Sequence, residues 1–128
     1  MISDIWEKIE HKLVPIQNNL KHIRTVTLNK DSTKTPLVML HGMGSGVGLW
    51  VLNYDSLCQN RTVHAFDMLG FGRSSRPKFS SSSEGAEAEF VECVEEWRKA
   101  MNLKKFVLLG HSMGGYLAAA YAIKYPEK

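Results

Sequence analysis

The chain has 128 residues, 44% of them hydrophobic, with 16 Lys and Arg against 13 Asp and Glu for a net charge of +3. That length supports one domain with a real core, and so mild and scattered an excess of positive charge excludes nucleic acid as an expected partner. No apolar run approaches membrane-spanning length, and Asp4, Glu7 and Lys8 interrupt the N-terminus where a signal peptide would be apolar. The two cysteines, Cys58 and Cys93, have no metal-ligand spacing and suggest no disulfide framework. A reducing, cytoplasmic setting with no metal and no cofactor is therefore expected.

Ile2, Ile5, Trp6, Ile9 and Leu13 share one helical face, so the spacing predicts an amphipathic helix over 2–14, started by Ser3, within an N-terminal segment of residues 1–20. Its apolar stripe is expected to cover part of the core, and a Trp with several Ile also suits a membrane or lipid-droplet surface. Residues 21–128 read as one α/β unit. His22 to Leu28 is an early strand, 29–32 a turn, and Pro36 to Leu40 a second, buried strand. Four glycines in seven residues follow, at Gly42, Gly44, Gly46 and Gly48, where backbone must be approached closely or take positive φ. Leu49 to Cys58 reads as helix, Thr62 to Phe66 as strand ending at Asp67, and 68–77 as a long turn. A helix is expected over 84–101, with Ser81 and Glu84 as a capping box. Phe106 to Leu109 reads as a fully buried strand and Met113 to Lys124 as the last helix. Strands alternating with helices imply a mostly parallel sheet with helices on both faces.

The loops at one sheet edge carry the chemistry. Gly110-His111-Ser112-Met113-Gly114 places a G-x-S-x-G pattern where a strand turns into a helix, the context of a nucleophile elbow. Ser112 is the expected nucleophile. The backbone N–H groups of Met113 and Met43 are the expected oxyanion hole, with His41, Gly42 and Gly44 shaping the substrate loop and Gly110 and Gly114 allowing close packing. Asp67 is expected to hydrogen-bond the Gly70–Ser74 turn rather than serve as a triad acid. The five histidines, His11, His22, His41, His64 and His111, all precede Ser112, and only Glu127 offers a carboxylate after it. In this fold the acid and then the histidine follow the serine. The chain therefore reads as the N-terminal part of a longer enzyme or as a non-catalytic remnant. Alone it is expected to be marginally stable, with an unpaired apolar edge at the elbow strand, and inactive.

The residues resemble the α/β-hydrolase superfamily over nearly the whole chain. More narrowly, they resemble its lipid-acting branch of N-acylphosphatidylethanolamine lipases and the related lipid-droplet lipase coactivator. Thr35 to Gly42, Gly46 to Trp50, Phe66 to Pro77, Glu95 to Arg98 and Gly110 to Gly115 carry the likeness. The resemblance implies the N-terminal half of an α/β-hydrolase fold, incomplete after the elbow helix. It also implies removal of an acyl chain from (lyso)-N-acylphosphatidylethanolamine, hence a phospholipid or lysophospholipid partner and a peripheral place at membranes or lipid droplets. Coactivator members of the branch have Asn at the nucleophile position, where this chain has Ser112. The acyltransferase motif H-x-x-x-x-D of the branch is absent from these residues. Two further readings stand beside the hydrolase: a non-catalytic module binding lipid droplets or a lipase, and a dinucleotide-binding unit built on Gly42, Gly44 and Gly46 with Asp67. The second has Val47 where the third fingerprint glycine belongs.

Overall fold

A computed structural model describes residues 8–79 and 81–127. Among them, five strands form one sheet: β1 (Glu10–Ile16), β2 (Lys21–Leu28), β3 (Leu37–Leu40), β4 (Val63–Phe66) and β5 (Val107–Gly110). Their spatial order is β1-β2-β4-β3-β5. β1–β2 and β2–β4 are antiparallel, whereas β4–β3 and β3–β5 are parallel. The α/β class expected from the sequence is present. The described sheet is evenly mixed rather than mostly parallel, because a hairpin opens the chain before the first crossover. Three helices accompany the sheet: α1 (Tyr54–Leu57), α2 (Ser83–Ala100) and α3 (Met113–Lys124). A 3-10 turn spans Val47–Trp50, so the single helix expected over 49–58 is split into two short pieces.

The N-terminal helix expected over 2–14 is corrected over its second half. Residues 10–14 lie in β1, while residues 1–7 lie outside the described residues. Period two wins over period 3.6 here: Val14 and Ile16 are buried while Leu13 is exposed. Pro15 would break a helix interior but is tolerated on an edge strand. The turn supplies the missing signal. Asn18 and Asn19 have φ of 56° and 69°, and Leu20 N–H donates to Gln17 O at 3.1 Å. That is the backbone sense of a tight hairpin, and Asn accepts it more readily than most residues.

Alternation along the strands builds two cores. On one face Val14, Ile16, Ile23, Val38, Leu40 and Phe66 meet Trp97 of α2 and Leu117 and Tyr121 of α3. On the other, Val26, Leu28, Leu37, Met39, Val63 and Ala65 meet Ile9, Val47 and Tyr54. Trp97 is fully buried, packs on Phe66 with ring centroids 4.6 Å apart, and donates its indole N–H to Thr25 Oγ1 at 2.9 Å. A buried bidentate pair, Arg98 with Glu95, joins α2 to its exit loop through Leu103 O and to α3 through Tyr121 Oη. The cap of α2 is Ser82, whose Oγ accepts from Gly85 N–H, one residue later than the sequence suggests. β5 is not fully buried. It is one of the two edge strands of the described sheet, and Val107 and Leu109 are 48% and 41% exposed on the face that no described helix covers.

Candidate active site

The parallel register sets β3 beside β5, with Leu40 opposite Gly110. Two chain segments therefore leave the sheet at the same edge and side by side: His41 onward and His111 onward. At the second, Ser112 takes φ 57° and ψ −119° before α3 begins. Few non-glycine residues occupy this region, and holding one there costs about 1–3 kcal/mol. Packing enforces it. A methyl group at Gly110 would overlap the Gly114 carbonyl, and one at Gly114 would overlap Leu40 O. Glycine at both positions lets α3 start directly against β5 and β3, so the chain turns with the Ser112 side chain outside the sheet. Ser112 is exposed.

The glycine loop begins against this turn. A Cβ at Gly42 would lie 3.2 Å from both Ser112 Cβ and His111 O. His41 fixes the loop from below and is fully buried. Met68 N–H donates to its Nε2 at 2.9 Å, which puts the ring proton on Nδ1, and Nδ1–H donates to Gly42 O at 2.7 Å. A trans peptide holds C=O and N–H on opposite sides. With the Gly42 carbonyl drawn to His41, the Met43 N–H faces away from that ring. Among the described residues, neither the Met43 N–H nor the Met113 N–H donates to a protein acceptor. Gly44 has φ 73° and stands open to solvent, with Met43 75% exposed beside it.

Asp67 ties the neighbouring loops together. Its carboxylate is 1% exposed and accepts from Val47 N–H at 2.8 Å and Arg73 N–H at 2.9 Å. One oxygen thus holds the end of the glycine loop and the other holds the turn over 68–76. Asp67 thus bonds the turn over 70–74 through Arg73 N–H and reaches beyond it to the glycine loop. A methyl at Gly46 would sit 2.7 Å from Asp67 Oδ1, which accounts for a glycine there. The same carboxylate corrects the dinucleotide reading, since an acid enclosed by two loop N–H groups cannot hold a ribose hydroxyl. Sequence reasoning missed Ser74, which is buried, donates to Asp67 O and accepts from Arg24 N–H at 2.9 Å. It also missed Trp50, set edge-on to His111 with ring centroids 6.4 Å apart. A serine inside a Gly-rich turn and a Trp after a glycine run carry no periodicity that could have flagged them.

The histidines occupy distinct settings. His11 and His22 are exposed. His64 is buried, bonded through Nδ1 to Thr27 Oγ1 at 2.8 Å, and burial pushes its pKa down to about 4. Both nitrogens of His41 are engaged within the loop. Among the described residues no hydrogen bond joins Ser112 Oγ to a histidine.

Comparison with known proteins agrees with this architecture. A family model described as alpha/beta hydrolase fold matches residues 35–128. The human (lyso)-N-acylphosphatidylethanolamine lipase is 57% identical over 129 residues, covering 100% of this chain and 37% of that protein. The human protein named 1-acylglycerol-3-phosphate O-acyltransferase ABHD5 is 63% identical over 97 residues, covering 76% of this chain and 28% of that protein. The chain thus spans roughly a third of the length of these relatives. Among solved structures, a bacterial membrane phospholipase A superposes with a TM-score of 0.83 at 26% identity, over 98% of this chain and 41% of that one. A Salmonella enterica protein described as a putative acyltransferase gives 0.82 at 25% identity, over 93% and 38%. By the match over residues 35–128, the chain belongs to the alpha/beta hydrolase fold family.

Proposed function

We propose that this chain carries the nucleophile and oxyanion hole of a serine enzyme that removes acyl groups from (lyso)-N-acylphosphatidylethanolamine-type phospholipids. The observation that carries the reading is Ser112 at φ 57°, exposed on a strand–turn–helix elbow with the glycine loop packed against it. Ser112 Oγ attacks the ester carbonyl carbon, and its proton passes to a general base. The carbonyl oxygen gathers negative charge and accepts from the N–H groups of Met113 and Met43, beside the positive end of α3. The tetrahedral species collapses to an acyl-serine, and the departing lyso-lipid alkoxide takes the proton back. Water then releases the fatty acid, whereas a lipid hydroxyl in its place would give acyl transfer. The acid and the base are assigned to the part of the longer relatives that these residues do not cover.

A second reading, a non-catalytic lipid-droplet or lipase-binding module, draws on the lack of a histidine bonded to Ser112 among the described residues. Fatty-acid release from N-acylphosphatidylethanolamine by the complete gene product, with and without Ser112→Ala, separates the two. The enzyme reading expects turnover that falls at least about 1,000-fold in the variant. Turnover unchanged by Ser112→Ala would overturn it.

A further inference from the structure

Beyond the serine site, the same sheet edge holds a second recess, of about 310 Å³, at the β1–β2 corner. His11, Lys12, Leu13, Arg24 and Arg73 line it. The register brings part of the cluster together: Leu13 stands opposite Arg24 across the β1–β2 pair, so both side chains point to one face. Arg24 lies at the end of β2 that faces the active edge, since its carbonyl accepts from Asp67 N–H. Arg73 is brought there by its own N–H bond to Asp67 Oδ2.

The charge balance of this recess is one-sided. Among the described residues, four cations elsewhere pair with carboxylates, Lys8 with Asp55, Lys30 with Glu10, Lys124 with Glu92 and Arg98 with Glu95, whereas others such as Lys34, Lys104 and Lys105 do not. In the recess no acidic side chain lines the wall. Among the described residues, Arg73, Lys12 and His11 have no carboxylate partner, and Arg24 meets only the buried Asp67, at a long 3.5 Å. Beside these cations Leu13 is 57% exposed and, on the adjoining hairpin turn, Leu20 is 81% exposed. Unmatched cations flanked by outward leucines complement a surface that is anionic at its face and apolar just beneath it.

We infer that this corner docks the protein on anionic phospholipid surfaces, with Arg24, Arg73 and Lys12 on headgroup phosphates and Leu13 entering the interface. From β2 to β5 is three strand spacings, about 14 Å. Docking at the corner therefore turns the edge that carries Ser112 toward the same lipid layer. The inference rests on the phospholipid reading above only for its choice of a lipid over another polyanion.

The test is co-sedimentation with vesicles of phosphatidylcholine containing phosphatidic acid, compared with pure phosphatidylcholine. All proteins carry Ser112→Ala, so that the outcome is independent of turnover. Each surface cation near an anionic leaflet is worth about five-fold in binding, so Lys12→Gln with Arg73→Gln is expected to weaken binding about 30-fold. Lys104→Gln with Lys105→Gln, which removes equal charge from the loop before β5, is expected to leave it within about two-fold. Leu13→Ser is expected to weaken binding without changing its salt dependence. Circular dichroism confirms that each variant keeps its fold. Equal loss in both double variants, equal binding to pure phosphatidylcholine, or displacement by millimolar inorganic phosphate would each overturn the inference. The last would mark the recess as a site for free phosphate.

Discussion

Asp67→Ala tests whether one buried carboxylate holds the active edge together. The substitution leaves Val47 N–H, which is buried, and Arg73 N–H, which is half-buried, without the acceptor they bond at 2.8 and 2.9 Å. An orphaned buried donor costs about 1–3 kcal/mol and a half-buried one less, so the two together cost up to about 4 kcal/mol. That is a large share of the roughly 5–15 kcal/mol by which a domain is stable. Asp67→Asn keeps one carbonyl oxygen but turns an NH2 group toward a second N–H, and is expected to cost about 2 kcal/mol. Arg24→Gln removes only the 3.5 Å ion pair and is expected to cost less than about 1 kcal/mol. Urea unfolding followed by tryptophan fluorescence reads these differences. At a slope of about 2 kcal/mol per molar, Asp67→Ala should lower the midpoint by up to roughly 2 M. A drop below about 0.5 M, or an Asn variant as stable as the parent, would refute the bracing role.

Ser112→Gly should stabilise the fold by about 1 kcal/mol, because glycine takes φ 57° without strain, while Ser112→Ala should change stability little. Thermal melts of the two variants check this, and equal melting points would remove the argument for strain. Gly114→Ala should cost at least about 2 kcal/mol by forcing α3 away from Leu40 O, whereas Gly48→Ala, with open space around it, should be nearly neutral. Denaturant midpoints of this pair decide it. His64 has a folded pKa of about 4 against an ordinary 6.5, so the unfolded chain binds the extra proton between those values. Stability is therefore full above about pH 6.5 and falls as pH drops toward 4, by about 3 kcal/mol in all. His64→Gln should flatten that dependence, and an unaltered pH profile would contradict the assignment.

Much of this arrangement was readable before any coordinates. Ser112 could be found because glycines on both sides, an apolar strand before and an Ala-rich helix after are local signals that agree. The glycine run after β3 announced a backbone approach in the same way. The parts that escaped depend on partners distant in sequence. β1 reads as helix because Ile9 and Leu13 keep a four-residue spacing, and only pairing with β2, closed by Asn18 and Asn19, makes it a strand. The exposure of Val107 and Leu109 follows from the place of β5 at the sheet's end, which its own apolar residues cannot announce. Arg24 meets Ser74 beside Asp67 from 50 residues away in the chain, where composition says nothing.

The central claim is that Ser112 is an acyl-accepting nucleophile. The most direct measurement is mass spectrometry of the complete gene product after treatment with a lipid-like fluorophosphonate, which traps an activated serine. A nucleophilic Ser112 gives one adduct, on the peptide that contains it, slowed by competing N-acylphosphatidylethanolamine and absent in Ser112→Ala. An unmodified Ser112 under conditions that label a known serine lipase, or an adduct that persists in Ser112→Ala, would contradict it.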